Sequence, residues 1–379
     1  MRRGIACLLA AILAGSGPAA CGREKTVVRI AVTGPQTGDL APEGVGMQRA
    51  VALALAESKP GPDTPWNVEL ASYDDRADPG AAEAVAQQIV ADPTVGVVVG
   101  HITSGCSIAA AKVYARSSLA MITPSATSPE VTLQQTRPDW VGPRVALRIP
   151  ASDAVLGAYT AEYAFDRLDL RRLAVVHDGT PYGQDLAESF RRGFERKGGT
   201  VLLVQQIARG ETDFSGLIGR LRPLQPDGLF FGGIYTEFAA LLKQSRAEGL
   251  GFPFIAGDGA KADELFAIAG GAADGAYLAV SGVPVEDIPS AADFVESYRR
   301  RYNSPPRVFD HYAYEAGLIA LECLRRHGSD REKVLACLRA SRHSGMLGTI
   351  VFDAKGDTLK SVVTVTRADA RQRRFIPQY

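Results

Sequence analysis

Residues 95–100 read VGVVVG, an unbroken apolar run that opens into HITSGCS at 101–107. A strand with one face in water alternates apolar and polar residues. A strand covered on both faces does not, and that kind belongs to a parallel sheet flanked by helices. The neighbouring segments agree. TVVRIAV (26–32) and NVELASYDD (67–75) read as strands, and GMQRAVALALAES (46–58) between them reads as an amphipathic helix. DPGAAEAVAQQIVADP (78–93) is a second helix, bracketed by prolines, and a third is expected over about 107–117 before the strand LAMIT (119–123). The pattern then recurs in RRLAVVHD (171–178), VLLVQQIA (201–208) and DGLFFGG (227–233), with helices between. Strand–helix alternation of this kind is α/β. The recurrence keeps register, because Gly100 to Ser125 and Gly233 to Asp258 both span 25 positions. Two lobes of one design follow. Ligands of open parallel sheets sit beyond the carboxyl ends of the strands. The loops after Gly100, Ile122, Val176, Gly233 and Ile255 are therefore expected to face a common cleft.

The chain has 379 residues, 46% of them apolar, with Lys+Arg and Asp+Glu equal at 42 each. That length suits two domains, and balanced charge argues against a nucleic-acid partner. Residues 1–20 carry Arg2 and Arg3, a short apolar run and then small residues, as an export signal does. The run is too short to span a bilayer. PAAC (18–21) resembles the end of a bacterial lipoprotein signal, with Pro18 where Leu is usual. That likeness implies cleavage before Cys21 and acylation of its thiol, hence a membrane tether. Cys323 and Cys337 flank RRHGSDREKV, which reads as helix–turn–helix. A disulfide between them and two buried thiols are both open. No cysteine or histidine spacing suits a metal, and no phosphate-loop, nucleophile-elbow or dinucleotide motif occurs. No cofactor is expected.

The loop ends carry the chemistry. In the first lobe they present the hydroxyls of Thr103, Ser104, Ser125 and Thr127 beside helix-start amides, a combination that binds an anion such as a carboxylate. In the second they present Glu237 and Asp258, which suit an ammonium. One wall for each charge describes a small zwitterion. Taken singly, each of these residues is as well read as a helix cap or turn residue. Tyr182, at a helix start, is read either as packing or as a cover over the ligand.

VGVVVGHITSGCS, LAMITPSATSPEVT, LAVVHDGTPYGQDLAESFRRGF, DFSGLIGRLRPLQPDGLFFGG and FDAKGD together resemble the periplasmic leucine/isoleucine/valine-binding proteins. These are type I solute-binding proteins of ATP-driven (ABC) importers. The resemblance implies a two-lobed clamp with three hinge crossings, near Leu147–Pro150, Leu278–Gly282 and Leu347–Val351. The lobes would be 26–147 plus 282–347 and 148–281 plus 348–379. By position, Ser104 and Thr127 would hold the ligand carboxylate, with Ile102, Ser125 and Ala126 beside them. Tyr182 would lie over the ligand and Asp258 would hold the α-ammonium, where the family usually has Glu. Two positions depart from the family. Glu43 stands where a tyrosine is common, and Ile234 takes the place of a ligand-contacting tyrosine, with Tyr235 adjacent.

The resulting expectation is an exported binder, not an enzyme. It would be monomeric, in the periplasm or on the outer face of the envelope, tethered if Cys21 is acylated. It would deliver a branched-chain or other apolar amino acid to importer membrane subunits. The alternative keeps the fold but binds or senses an amide, urea or aromatic acid, the reading Glu43 favours. A lipoprotein enzyme using Ser104 or Ser125 as nucleophile would need a base; His101 lies close in sequence, but no oriented acid is evident.

Overall fold

A computed structural model describes residues 25–58 and 64–379. The export signal and Cys21 lie outside the described residues. The chain runs β1 (Thr26–Gly34), α1 (Ala41–Glu57), β2 (Trp66–Asp74), α2 (Pro79–Ala91), β3 (Val95–Gly100), α3 (Ser104–Ala115), β4 (Ala120–Thr123), α4 (Glu130–Leu133) and β5 (Ala146–Arg148). It continues through α5 (Asp153–Asp166), β6 (Arg172–His177), α6 (Pro181–Arg196), β7 (Thr200–Gln206), α7 (Ser215–Leu224), β8 (Gly228–Gly232), α8 (Tyr235–Ala247), β9 (Phe254–Ala256), α9 (Asp263–Ala269) and β10 (Tyr277–Ser281). Then follow α10 (Ala292–Tyr302), α11 (Asp310–His327), α12 (Arg331–Arg339), the small pair β11 (His343–Gly345) and β12 (Gly348–Ile350), and finally β13 (Val363–Asp369) and β14 (Arg374–Pro377).

Two sheets result. The first, β2-β1-β3-β4-β5, is parallel throughout. In the second, β14-β13-β10-β9-β8-β6-β7, strands β6 to β10 are parallel, and the last two strands add antiparallel at one edge. Continuous apolar runs become the central strands because both faces are covered. In β8, Leu229 and Phe231 enter the core on one face and Phe230 the core on the other, as the two-residue period of a strand requires. Phe230 stacks on Phe190 of α6 with ring centroids 3.8 Å apart. Every residue of β3 is likewise buried.

The chain passes from the first sheet to the second after β5, returns after β10, and crosses again before β13. Ile350 and Phe352 pack into the first core. The last passage therefore follows Phe352, later than the boundary expected at Leu347–Gly348, because these two side chains complete the apolar layer on that lobe. A disulfide joins Cys323 of α11 to Cys337 of α12. Among the described residues no helix is long and apolar enough to cross a membrane.

Candidate functional site

The carboxyl ends of β3 and β4 build one wall. Thr103 caps α3 by accepting from the Cys106 amide at 3.4 Å. The helix therefore begins at Ser104, a few residues before the expected start. A helix start leaves its first amides without partners in the helix. Thr123, ending β4, donates to the His101 carbonyl at 2.9 Å and accepts from the Ala126 amide at 2.9 Å, which folds the 124–128 loop back over α3. The two serines then differ. Ser104 Oγ accepts from the Ser128 amide at 3.1 Å, so its own proton is free to donate. Ser125 Oγ donates to the Ile102 carbonyl at 3.0 Å, so its proton is engaged. Beneath the loop lies Arg148, fully buried, donating to the carbonyls of Thr127 (2.8 Å) and Ser128 (2.6 Å) and paired with Asp357 at 2.6 Å. No sequence signal marks Arg148, because its partners come from two distant segments.

The second wall is built at the ends of β6, β8 and β9. Thr180 caps α6, which brings Tyr182 against the turn after β9. Glycines flank Asp258 in that turn. A Cβ on Gly257 would stand 2.8 Å from the Tyr182 hydroxyl, and one on Gly259 would stand 2.9 Å from its ring. Tyr182 donates to Asp258 Oδ1 at 2.9 Å, and the Gly259 amide donates to the same oxygen at 3.0 Å. Asp258 Oδ2 is buried with no hydrogen-bond partner among the described residues. Burial pushes this carboxyl up to about 6 despite those hydrogen bonds. Asp153, fully buried nearby, is raised well above the carboxylate range by burial and then by the charge of Asp258.

Between the walls lies a cavity of about 150 Å3. Of the expected site residues, Ile102, Ser104, Ser125, Thr127, Tyr182, Asp258 and Glu43 line it. Ala126 is buried behind the loop. Tyr235 is also buried and does not line the cavity; its hydroxyl reaches across to the Asp39 carbonyl at 2.6 Å. Glu237, expected at the cleft edge, is 1% exposed and holds Arg209 at 2.7 Å and the Gly210 amide at 2.7 Å, so it offers nothing to a ligand. Leu40, Asp178, Arg209, Lys261 and Phe309 line the cavity without having been singled out in the sequence. Asp178 and Leu40 stand in HDGT and GDLA, which read as ordinary turns.

The lobes touch across the cleft. Arg307, before α11, pairs with Glu43 of α1 at 2.6 Å and with Glu264 of α9, on the opposite lobe, at 2.9 Å. Leu40 packs with Ile234, Tyr235 and Ala262. Ser128 donates to Asp185 of α6. The His101 ring meets Thr33, Asp75 and Tyr114 and neither cavity serine. Among the described residues no group of acids, histidines and cysteines is arranged to hold a metal.

Comparison with known proteins gives a consistent result. The sequence profile of a family described as periplasmic binding protein matches residues 27–373. The chain is 32% identical over 352 residues to a leucine-, isoleucine-, valine-, threonine- and alanine-binding protein of Pseudomonas aeruginosa, covering 92% of each chain. It is 30% identical to the Leu/Ile/Val-binding protein of Escherichia coli K12, covering 87% of this chain and 88% of that one. The crystal structure of a leucine-binding protein from Thermotoga maritima superposes with a TM-score of 0.84 at 29% identity, over 93% of this chain and 98% of that one.

Proposed function

This chain belongs to the periplasmic binding protein family, and on that premise we propose that it captures an amino acid between its lobes for delivery to an ABC importer. It is a binding protein and not an enzyme. Relatives named for leucine, isoleucine and valine support a branched-chain or other apolar ligand. The Ser104 hydroxyl, the Thr127 hydroxyl and the first-turn amides of α3 take the α-carboxylate, and Ile102, Ser125 and Ala126 shape the loop around it. Asp258 takes the α-ammonium under Tyr182. Leu40, Ile102, Ile234 and Phe309 receive the side chain.

The carrying observation is Asp258 Oδ2, a buried carboxylate oxygen without a donor, in the same cavity as the free donor of Ser104. An unpaired buried acceptor is costly, and a charged hydrogen bond to it recovers roughly 1.5–3 kcal/mol. Arg307 holds Oε1 of Glu43, while Glu43 Oε2 is buried without a partner among the described residues; the relatives named for leucine, isoleucine and valine favour the amino-acid reading over an amide, urea or aromatic acid. Two lobes, 26–147 plus 282–352 and 148–281 plus 353–379, would hinge about the three passages. The protein would act as a monomer in the periplasm, with Cys21 as a lipid anchor.

Titration calorimetry with leucine tests the site. Replacing Ser104 and Thr127 together by Ala, or Asp258→Asn alone, is expected to weaken binding by about tenfold or more, the worth of one charged hydrogen bond. Ser125→Ala, whose proton serves the loop, should have a smaller effect. Unchanged leucine affinity in the first two variants overturns the assignment.

A further inference from the structure

Asp258 is not the only carboxylate lining the cavity with an idle oxygen: Glu43, whose other oxygen is tied to Arg307, and Asp178 each have one as well. Asp178, at the end of β6, lines the same cavity and is 3% exposed. Its Oδ1 is engaged locally, accepting from the Thr180 amide at 3.0 Å and the Thr180 hydroxyl at 2.7 Å. Its Oδ2 is buried and has no hydrogen-bond partner among the described residues. The nearest cation does not fill that role. Arg209 directs its guanidinium to both oxygens of Glu237, at 2.7 and 2.9 Å, and toward Asp39 at 4.0 Å.

Asp178 and Asp258 follow strands that are not neighbours in the sheet. β6 and β9 flank β8 in the sheet, so Asp178 and Asp258 leave strands separated by about 9.5 Å, two strand spacings. Their surroundings differ accordingly. Asp258 neighbours Tyr182, Ser281, Tyr312 and Asp153. Asp178 neighbours Arg209 and Glu237, and its Cβ lies against Gly233, next to Ile234. The Asp39–Arg209 approach brings Leu40 into the same surroundings. An ammonium held by Asp258 therefore does not serve Asp178. The group that reaches Asp178 is the ligand's side chain.

We propose that Asp178 is a specificity residue whose free oxygen accepts a hydrogen bond from a hydroxyl or amide on the ligand side chain, so that the site takes such amino acids as well as aliphatic ones. The inference rests on the head-group assignment above, which points the side chain toward Asp178. An aliphatic side chain leaves Asp178 Oδ2 dry and unpaired; a donor of the same shape pairs it. A site with a buried acceptor discriminates against analogues lacking the donor.

Three near-isosteric pairs test this by calorimetry on the full mature protein: threonine with valine, asparagine with leucine, and glutamine with methionine. In the wild type, the donor-bearing member of at least one pair is expected to bind at least as tightly as its partner. Asp178→Asn keeps an oxygen to cap Thr180 but turns the free oxygen into a donor. It should lower that pair's affinity ratio by about tenfold or more, while leucine binding reports that the variant is folded. If the apolar member binds more tightly in all three wild-type pairs, or if the ratio is unchanged in Asp178→Asn, the inference fails while the head-group reading stands. If no amino acid binds the wild type, both fail.

Discussion

Asp258 has a carboxyl that burial lifts to about 6, from an ordinary value of 3.8. In the free protein, protonation as pH falls relieves a buried charge, so this group's contribution to stability rises on acidification and is lost as pH climbs through about 6. Ligand binding runs the other way, because an ammonium needs the carboxylate. Affinity for an amino acid is therefore expected to fall by about tenfold between pH 7 and pH 5, measured by calorimetry, and Asp258→Asn should flatten that dependence. Tyr182 and the Gly259 amide donate to Oδ1, and burial raises the neighbouring Asp153 carboxyl as well. At this scale the sequence was readable for residue type and blind to direction. A hydroxyl in TPSATSPE announces a donor and an acceptor at once. Whether Ser104 keeps its proton for a ligand while Ser125 gives its own to Ile102 depends on how two loops from different strands pack.

The strand-end register was legible for a physical reason: each lobe repeats a strand–loop–helix unit whose apolar period is local. Ser125 lies two residues past the end of β4, and Asp258 lies two past the end of β9. Glu237 shows where such reading stops. It occupies the first turn of α8, a position that serves a ligand or a neighbour equally well. Arg209, 28 residues earlier, decides the matter. The start of α6 also depends on close approach. A Cβ on Gly183 would come within 2.2 Å of Asp178 Oδ1 and 2.5 Å of the Gly232 carbonyl. Gly183→Ala is expected to push α6 off β8, costing about 1–3 kcal/mol of stability and loosening Tyr182 from Asp258. Thermal denaturation and leucine titration of the variant should show both losses together.

Across the whole molecule, Arg307 ties the lobes by holding Glu43 on one and Glu264 on the other. Glu264 does not line the cavity, so a change there acts on closure rather than on ligand contacts. Glu264→Gln is expected to weaken leucine binding by about three- to tenfold through faster release, a modest effect because the pair is part-exposed. Stopped-flow dissociation, with scattering to read the open fraction, checks it; an unchanged release rate would show that the pair contributes nothing to closure. By itself the sequence determined the α/β class, the doubled design, and which loops line the cavity, since apolar period, capping residues and repeat spacing are written within a few turns of chain. Only the tertiary structure decided which charges remain available. Glu237, Arg148 and Oε1 of Glu43 are engaged by partners from distant segments, while Asp258, Asp178 and Glu43 each keep one oxygen without a donor among the described residues. Pairing between residues far apart in the chain depends on distances set by the packing of whole lobes, and no local pattern encodes them.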